Sequence, residues 1–125
     1  MRPDRALAHL HDVWTNCERA VRVYEADRPG VRDVESPTRA AVERYFITVG
    51  EALVRLRQDA PEVLARLPEA ASAIGMRNVL VHLYHRVEVD ELERALTGAA
   101  GPLTAGARVV ARELEQDSAY LPPGG

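Results

Sequence analysis

Apolar residues recur at alternating steps of three and four along most of this chain, and only a few prolines and glycines interrupt the repeat. In the first segment, from about Pro3 to Asp27, the stripe consists of Leu7, Leu10, Trp14, Cys17, Val21 and Tyr24. Such steps place side chains on one face of an α-helix, which must then be buried. No useful length alternates apolar and polar residues at period two. The pattern therefore predicts an all-α fold.

Proline and glycine mark where the first helices begin and end. Residues 28–30, Arg-Pro-Gly, end the first helix because proline and glycine both disfavour its continuation. Ser36 followed by Pro37 is the pattern of an N-cap and a first helical turn. This second helix is predicted to run to about Asp59, since its apolar repeat continues that far.

The second half of the chain contains the remaining helical segments. A short helical turn is predicted between residues 61 and 68, and a third long helix from 68 to about 87. Asp90 starts a fourth helix with Glu93 as its capping-box partner. Residues 98–101, rich in glycine, are predicted to break that helix before a last one begins at position 102. The result is a bundle of four to five helices with short connections.

Length and charge limit the classes of function. With 125 residues the chain can bury one core, so we expect a single helical domain over residues 1–119 and a flexible tail at 120–125. The net charge of −3 means that any contact with RNA needs a local basic pocket. All 16 basic residues are arginine, which suits bidentate contact with phosphate.

Cysteine usage and hydropathy indicate the compartment. Cys17 is the only cysteine, which excludes an intramolecular disulfide and a cysteine-rich zinc site, and it is expected to be a small core residue. No apolar run reaches the length of a membrane span, and the first residues do not form a signal-peptide pattern. A cytoplasmic protein without a membrane segment is the expectation.

Residues 75–86, Gly-Met-Arg-Asn-Val-Leu-Val-His-Leu-Tyr-His-Arg, concentrate polar side chains on the third predicted helix. In a projection at about 100° per residue, one arc of about 160° holds Arg77, Asn78, His82, Tyr84 and His85. The opposite sector, which is predicted to face the core, holds Met76, Val79, Leu80 and Leu83. By spacing alone, the polar arc also fits an ordinary solvent-exposed helix face.

The arc contains the groups that phosphodiester cleavage without a metal requires. Histidine can transfer protons near neutral pH, and arginine can hold a phosphate and stabilise the charge that develops on it. Arg77 and His82 are therefore the candidate catalytic residues, and Asn78 could orient the histidine or bind ribose. Two copies of the arc, brought together by a twofold axis, would make a more complete site.

Residues 75–84 resemble the signature of HepT-like toxins, members of the HEPN superfamily of all-helical ribonucleases. The hallmark of that family is Arg-x4-6-His, here Arg77 and His82, extended by Tyr84. Residues 41–44 and 50–52 are similar to the family's second helix, and the resemblance spans about residues 38–97. Leu83 departs from the family pattern, in which this position is often polar or acidic.

The resemblance implies a metal-independent endoribonuclease that works as a homodimer without a cofactor. Arg77 and His82 of both subunits would line a shared cleft, with Asn78 in support. His85 and Arg86 extend the positive character of the arc, so they either contact RNA or lie in solvent. The resemblance also implies a partner, a nucleotidyltransferase antitoxin of the MntA type, as in type VII-like modules. That antitoxin would silence the toxin by attaching AMP to Tyr84.

Two other functions are compatible with the same residues. One is a non-catalytic helical subunit that binds substrate for a nucleotidyltransferase or serves as its scaffold, and the other is an inactive family member. The presence of both Arg77 and His82 favours the ribonuclease, since a scaffold does not need the pair. Glu51 either pairs with an arginine near the cleft or is solvated, and His9 and His11 are expected to be surface residues.

Overall fold

The computed structural model describes residues 3–82 and 87–119, and within these ranges it is all-α, without a β-strand. The helices are α1 (Pro3–Ala26), α2 (Pro37–Asp59), α3 (Pro61–Leu64), α4 (Ala70–Val81), α5 (Val89–Arg94) and α6 (Ala100–Ala119). A 3₁₀ turn at Arg28–Arg32 follows α1, and a π-helical turn at Ala95–Ala99 joins α5 to α6. The all-α bundle predicted from the sequence is confirmed.

The first half of the chain follows the predicted boundaries closely. Ser36 is the N-cap of α2, and its hydroxyl accepts the backbone N–H of Arg39 at 3.0 Å. Pro37 occupies the first turn, where its missing N–H costs nothing. The helix ends at Asp59, and the single turn of α3 follows directly.

The core lies where α1 meets α2 and α6, while α4 packs chiefly against α2. Half of the predicted α1 stripe is buried, namely Leu10, Cys17 and Tyr24. The other half, Leu7, Trp14 and Val21, is only partly buried and packs against the edge of the core. Burying a side chain such as Leu10 contributes about 1.5–3 kcal/mol, so this shared core holds the three long helices together. Among the described residues, no helix is both long enough and apolar enough to cross a bilayer.

The third long helix is shorter than predicted. It ends at Val81 instead of continuing to about position 87, and His82 already has extended backbone angles of φ −91° and ψ 100°. The buried guanidinium of Arg39 on α2 donates a hydrogen bond to the carbonyl of Val87 at 2.8 Å. Val87 itself is not helical, so this contact with α2 is made by the chain beyond the end of α4.

The predicted break at residues 98–101 is wrong, because the helix continues from α5 through the π turn into α6. In that turn the N–H of Ala100 donates to the carbonyl of Ala95, five residues earlier. Leu96 and Ala100 are buried on its inner face, and this packing outweighs the cost of about 1 kcal/mol for each glycine.

The capping box predicted for the fourth helix is also wrong. Glu88, and not Asp90, is the N-cap of α5, and it makes no side-chain capping bond. The Glu93 carboxylate instead accepts hydrogen bonds from Tyr24 and Arg32. Glu93 therefore bonds to residues distant in sequence and not to the start of its own helix, as the local pattern had predicted.

Candidate functional site

The candidate site is built where α4 crosses α2 at Gly50. A Cβ added at Gly50 would lie 2.1 Å from Cβ and 2.6 Å from Cγ of Arg77. The aliphatic stem of Arg77 therefore rests directly on the α2 backbone, and only glycine leaves room for it. The carbonyl of Ala73, one turn before Arg77, lies 3.3 Å from the same Cβ position, so Ala73 and the Arg77 stem together contact α2 at Gly50.

The guanidinium of Arg77 is held by neighbours on both helices. Nη1 donates to Oδ1 of Asn78 at 3.0 Å, and Nη2 lies 3.9 Å from Oε1 of Glu51 on α2. The side chain is 31% exposed, so its end reaches solvent while its stem is covered. Nε is buried and has no hydrogen-bond partner among the described residues. An unsatisfied buried donor costs about 1–3 kcal/mol, so this arrangement of Arg77 is retained against a penalty.

The helical projection placed two of these residues incorrectly. Arg77 was assigned to a solvent-facing arc, but its stem packs against α2. Val79 was assigned to the core but is 38% exposed. The contact with α2 includes Ala73, one turn before Arg77, and so begins before the segment that holds the polar arc. Leu80 and Met76 pack partly against the core as predicted, and Asn78 is exposed.

His82 lies at the C-terminal end of α4, five residues after Arg77. Its backbone N–H donates to the carbonyl of Val79 at 3.2 Å, which closes the last turn. The residue is exposed, so its imidazole is accessible to a substrate. Tyr84, His85 and Arg86, the other candidate residues, lie outside the described residues, as does Leu83.

The structure therefore brings Arg77, Asn78 and Glu51 together and places His82 at the end of the same helix. Sequence reasoning left the role of Glu51 open, and the structure places its carboxylate beside the Arg77 guanidinium. The packing of the Arg77 stem against Gly50 was not predicted, although a glycine in the middle of a long helix can mark a position where another segment approaches closely.

A second polar cluster, also missed by sequence reasoning, ties α5 to the rest of the bundle. The Tyr24 hydroxyl donates to Oε2 of Glu93 at 3.0 Å, and Arg32 pairs with the other carboxylate oxygen. The hydrogen bond to Glu93, reinforced by burial, raises the pKa of Tyr24 above its ordinary value. His9, expected at the surface, is partly buried, and its Nε2 lies 2.8 Å from Asp59.

A cleft of about 310 Å³ runs between α4 and the π-helical turn. Met76, Val79 and Val87 supply its apolar lining, and Glu91 and Arg94 add charge. These α4 residues lie on a different face from Arg77. Within the described ranges, no three His, Cys, Asp or Glu side chains are grouped so that they could hold a metal ion.

Comparison with known proteins gives one match. The model of the HepT-like family, whose description is "Ribonuclease HepT-like", matches residues 15–109. The match extends from α1 into α6 and includes the whole candidate site. No curated protein and no solved structure matches the chain significantly.

Proposed function

The chain belongs to the HepT-like ribonuclease family, and on that premise we propose that it is a metal-independent endoribonuclease toxin whose chemistry is carried by Arg77 and His82. Family membership supports a ribonuclease of the HEPN type. The assignment of the two residues rests on their Arg-x4-His spacing and on their geometry at α4.

The observation that carries this proposal is the fixed position of Arg77. Its stem is seated on Gly50, and its guanidinium contacts Asn78 and approaches Glu51, so its orientation is set before substrate arrives. An arginine on an ordinary solvated face would have to lose side-chain entropy on binding phosphate. A pre-oriented guanidinium can hold the scissile phosphate and stabilise charge that develops on its oxygens.

The proton transfers are assigned to His82. In the proposed reaction the 2′-oxygen of the RNA attacks phosphorus, and the bond from phosphorus to the 5′-oxygen breaks. A neutral imidazole accepts the 2′-hydroxyl proton, and a protonated imidazole gives a proton to the departing 5′-oxygen. Two His82 side chains, one from each subunit of a dimer, would supply both roles. Asn78 orients the arginine, and His85 and Arg86 are proposed to contact the RNA.

A homodimer that uses α4 is part of the proposal, because two copies of the site would be more complete than one. α4 packs chiefly against α2, which leaves Val79 at 38% and Val81 at 36% exposure. Val79 lines the cleft on one side of α4, whereas Val81, four residues after Arg77, lies on the Arg77 side of the helix. A second copy that covers the side of α4 with Val81 would bring two copies of Arg77 and of the neighbouring His82 towards one interface.

Regulation by an antitoxin is the second part of the proposal. A nucleotidyltransferase partner of the MntA type would attach AMP to Tyr84, two positions after His82. A phosphate group there would place negative charge close to the groups that bind substrate phosphate, so it would oppose RNA binding.

The test of the catalytic role compares His82→Ala with His11→Ala, a matched change at an exposed histidine on α1. We expect His82→Ala to lower the rate of RNA cleavage at least about 100-fold with the dimer intact, and His11→Ala to cleave normally. Cleavage by His82→Ala at the wild-type rate would contradict the assignment. RNA or nucleotide binding without cleavage by the wild-type protein would favour the non-catalytic subunit.

The test of regulation is the intact mass of the chain expressed alone and together with the nucleotidyltransferase. We expect a gain of one or more AMP units in the second sample, and no gain in Tyr84→Phe. If the partner neutralises the wild-type toxin and the mass of the toxin is unchanged, the partner inhibits it by binding and not by modification.

A further inference from the structure

Arg39 is a buried charged residue at the start of α2, and it joins three parts of the chain. Its exposed fraction is 5%. Nε donates to Oε2 of Glu43 at 2.9 Å, Nη1 donates to the carbonyl of Val31 at 3.2 Å, and Nη2 donates to the carbonyl of Val87 at 2.8 Å. The guanidinium therefore connects α2 to the 3₁₀ turn on one side and to the chain that follows the Arg-x4-His motif on the other.

Stability alone does not account for a guanidinium at this position. Removing a charge from water is costly, and a well-packed apolar side chain of similar volume often serves a buried position equally well. What the guanidinium adds is geometry, because its planar fork presents several donors in fixed directions. At Arg39 those donors reach a side chain of its own helix, the carbonyl of Val31 in the preceding 3₁₀ turn and the carbonyl of Val87, which is distant in sequence.

The contact with Val87 bears directly on the candidate site. Val87 is buried and follows His82 by five positions. On the other side of His82, α4 is seated on α2 through Arg77 and Gly50. Both ends of the segment that contains His82 are thus attached to the same helix, α2.

We propose that Arg39 is a positioning residue of the ribonuclease site, which holds the chain on the C-terminal side of His82 by binding the Val87 carbonyl. The proposal rests on the proposed function and concerns a residue outside the reacting groups. Arg39 touches neither Arg77 nor His82 in the structure; it acts through the backbone at Val87. Small displacements of a catalytic group lower turnover more than they weaken binding, so its loss should reduce kcat with little change in KM.

The first experiment measures RNA cleavage by Arg39→Lys, Glu43→Gln and Val63→Ala. Lysine keeps the charge beside Glu43 but lacks the fork that reaches both carbonyls. Glu43→Gln keeps an acceptor for Nε and leaves both carbonyl contacts. Val63→Ala removes buried volume in α3, away from Val87, and serves as a control for lost stability. All are assayed well below their unfolding temperatures.

We expect Arg39→Lys to lower kcat about 10- to 100-fold with KM changed less than about threefold. Glu43→Gln and Val63→Ala should keep kcat near the wild-type value. Wild-type kcat in a folded Arg39→Lys protein would overturn the proposal. An equal loss in Val63→Ala would overturn it too, since turnover would then follow global stability.

A second measurement does not depend on activity. Hydrogen exchange followed by mass spectrometry compares wild type with Arg39→Lys for a peptide covering residues 82–92 and for one from the middle of α2. We expect faster exchange in the first peptide only. Equal exchange overturns the positioning role whether or not the chain cleaves RNA, whereas an inactive wild-type protein with the expected exchange pattern contradicts only the proposed function. If Arg39→Lys does not fold, Arg39→Gln, which retains an N–H donor, replaces it in both measurements.

Discussion

The stem of Arg77 lies on the bare backbone of Gly50, so close that a Cβ on the glycine would be 2.1 Å from Cβ of the arginine. One contact therefore sets two quantities, the separation of α2 and α4 and the position of the guanidinium. Because the stem is covered and the head reaches solvent, Arg77 is both a packing residue and a candidate phosphate ligand.

Gly50→Ala is expected to separate α4 from α2. The added methyl group has no space beside Arg77, and overpacking of this kind costs about 1–3 kcal/mol of unfolding free energy. RNA cleavage should fall as well, since the guanidinium must move with its stem. Urea unfolding and a cleavage assay on the same preparation measure both effects. A variant as stable and as active as the wild type would refute the close contact.

Gly75→Ala is the matched change on α4, and it should have the opposite sign. A Cβ at Gly75 would meet nothing within 4 Å, so the substitution only removes the helix penalty of glycine. We expect the unfolding free energy to rise by about 0.5–1 kcal/mol. A loss of stability would show that α4 is covered on this side as well.

Glu51→Gln should strengthen RNA binding with little effect on stability. The Glu51 carboxylate lies 3.9 Å from Nη2 of Arg77, and both side chains are partly exposed. Such pairs contribute about 0–1 kcal/mol. Removing the negative charge beside the proposed phosphate site should lower KM about two- to fivefold at low salt, and less at high salt.

The control for Glu51→Gln is Glu62→Gln, which makes the same charge change at an exposed position on α3. It should leave KM unchanged, since it alters only net charge. Equal decreases in KM for the two variants would assign the effect to overall charge and would remove Glu51 from the site.

The sequence predicted helix positions well where they depend on residues close together in the chain. The N-cap at Ser36 is confirmed and the α1 stripe is buried in part, because capping and periodicity depend on neighbours within one or two turns. The end of α4 and the continuity through residues 95–99 were not predicted. The chain beyond α4 is bonded to α2 through Arg39 and Val87, and Leu96 is buried in the π-helical turn, so both features involve contacts between residues distant in sequence.

The candidate site, too, was predicted from the sequence only in part. Arg77, Asn78 and His82 could be singled out from spacing and from resemblance to a family. The seat at Gly50 and the neighbouring Glu51 could not be derived, because α2 and α4 meet only in the folded chain. A period of 3.6 residues assigns side chains to a face but does not say which helix that face meets.

Tyr24→Phe should destabilise the protein in a pH-dependent way. The lost hydrogen bond to Glu93 is expected to cost about 1–3 kcal/mol at pH 7, because its acceptor is a carboxylate. The pKa of Tyr24 is raised from 10.0 in the folded protein. The stabilisation is therefore fully present below about pH 10 and is lost as pH rises through the higher folded value.

Urea unfolding at pH 7 and at several pH values above 10 gives the free energy of unfolding of Tyr24→Phe and of the wild type, and hence the difference between them. The difference should narrow at alkaline pH, while titration of other groups affects both proteins alike. A difference that stays constant across this range would contradict the raised pKa of Tyr24.

Cys17 should be nearly inert to thiol reagents in the folded protein. Burial raises the pKa of its thiol from 9.0 to about 11, although a hydrogen bond with Thr104 acts in the opposite direction. At pH 8 only about one thiol in a thousand is then ionised, and the thiolate is the reactive form.

The space around the thiol also limits the reaction of Cys17. A cavity lined by Cys17 and Met76 measures only about 30 Å³, too small for an aromatic disulfide reagent. We expect the absorbance change with such a reagent at pH 8 to be at least about 100-fold slower in native than in guanidinium-unfolded protein. Equal rates would mean that the core around Cys17 opens readily in the native protein.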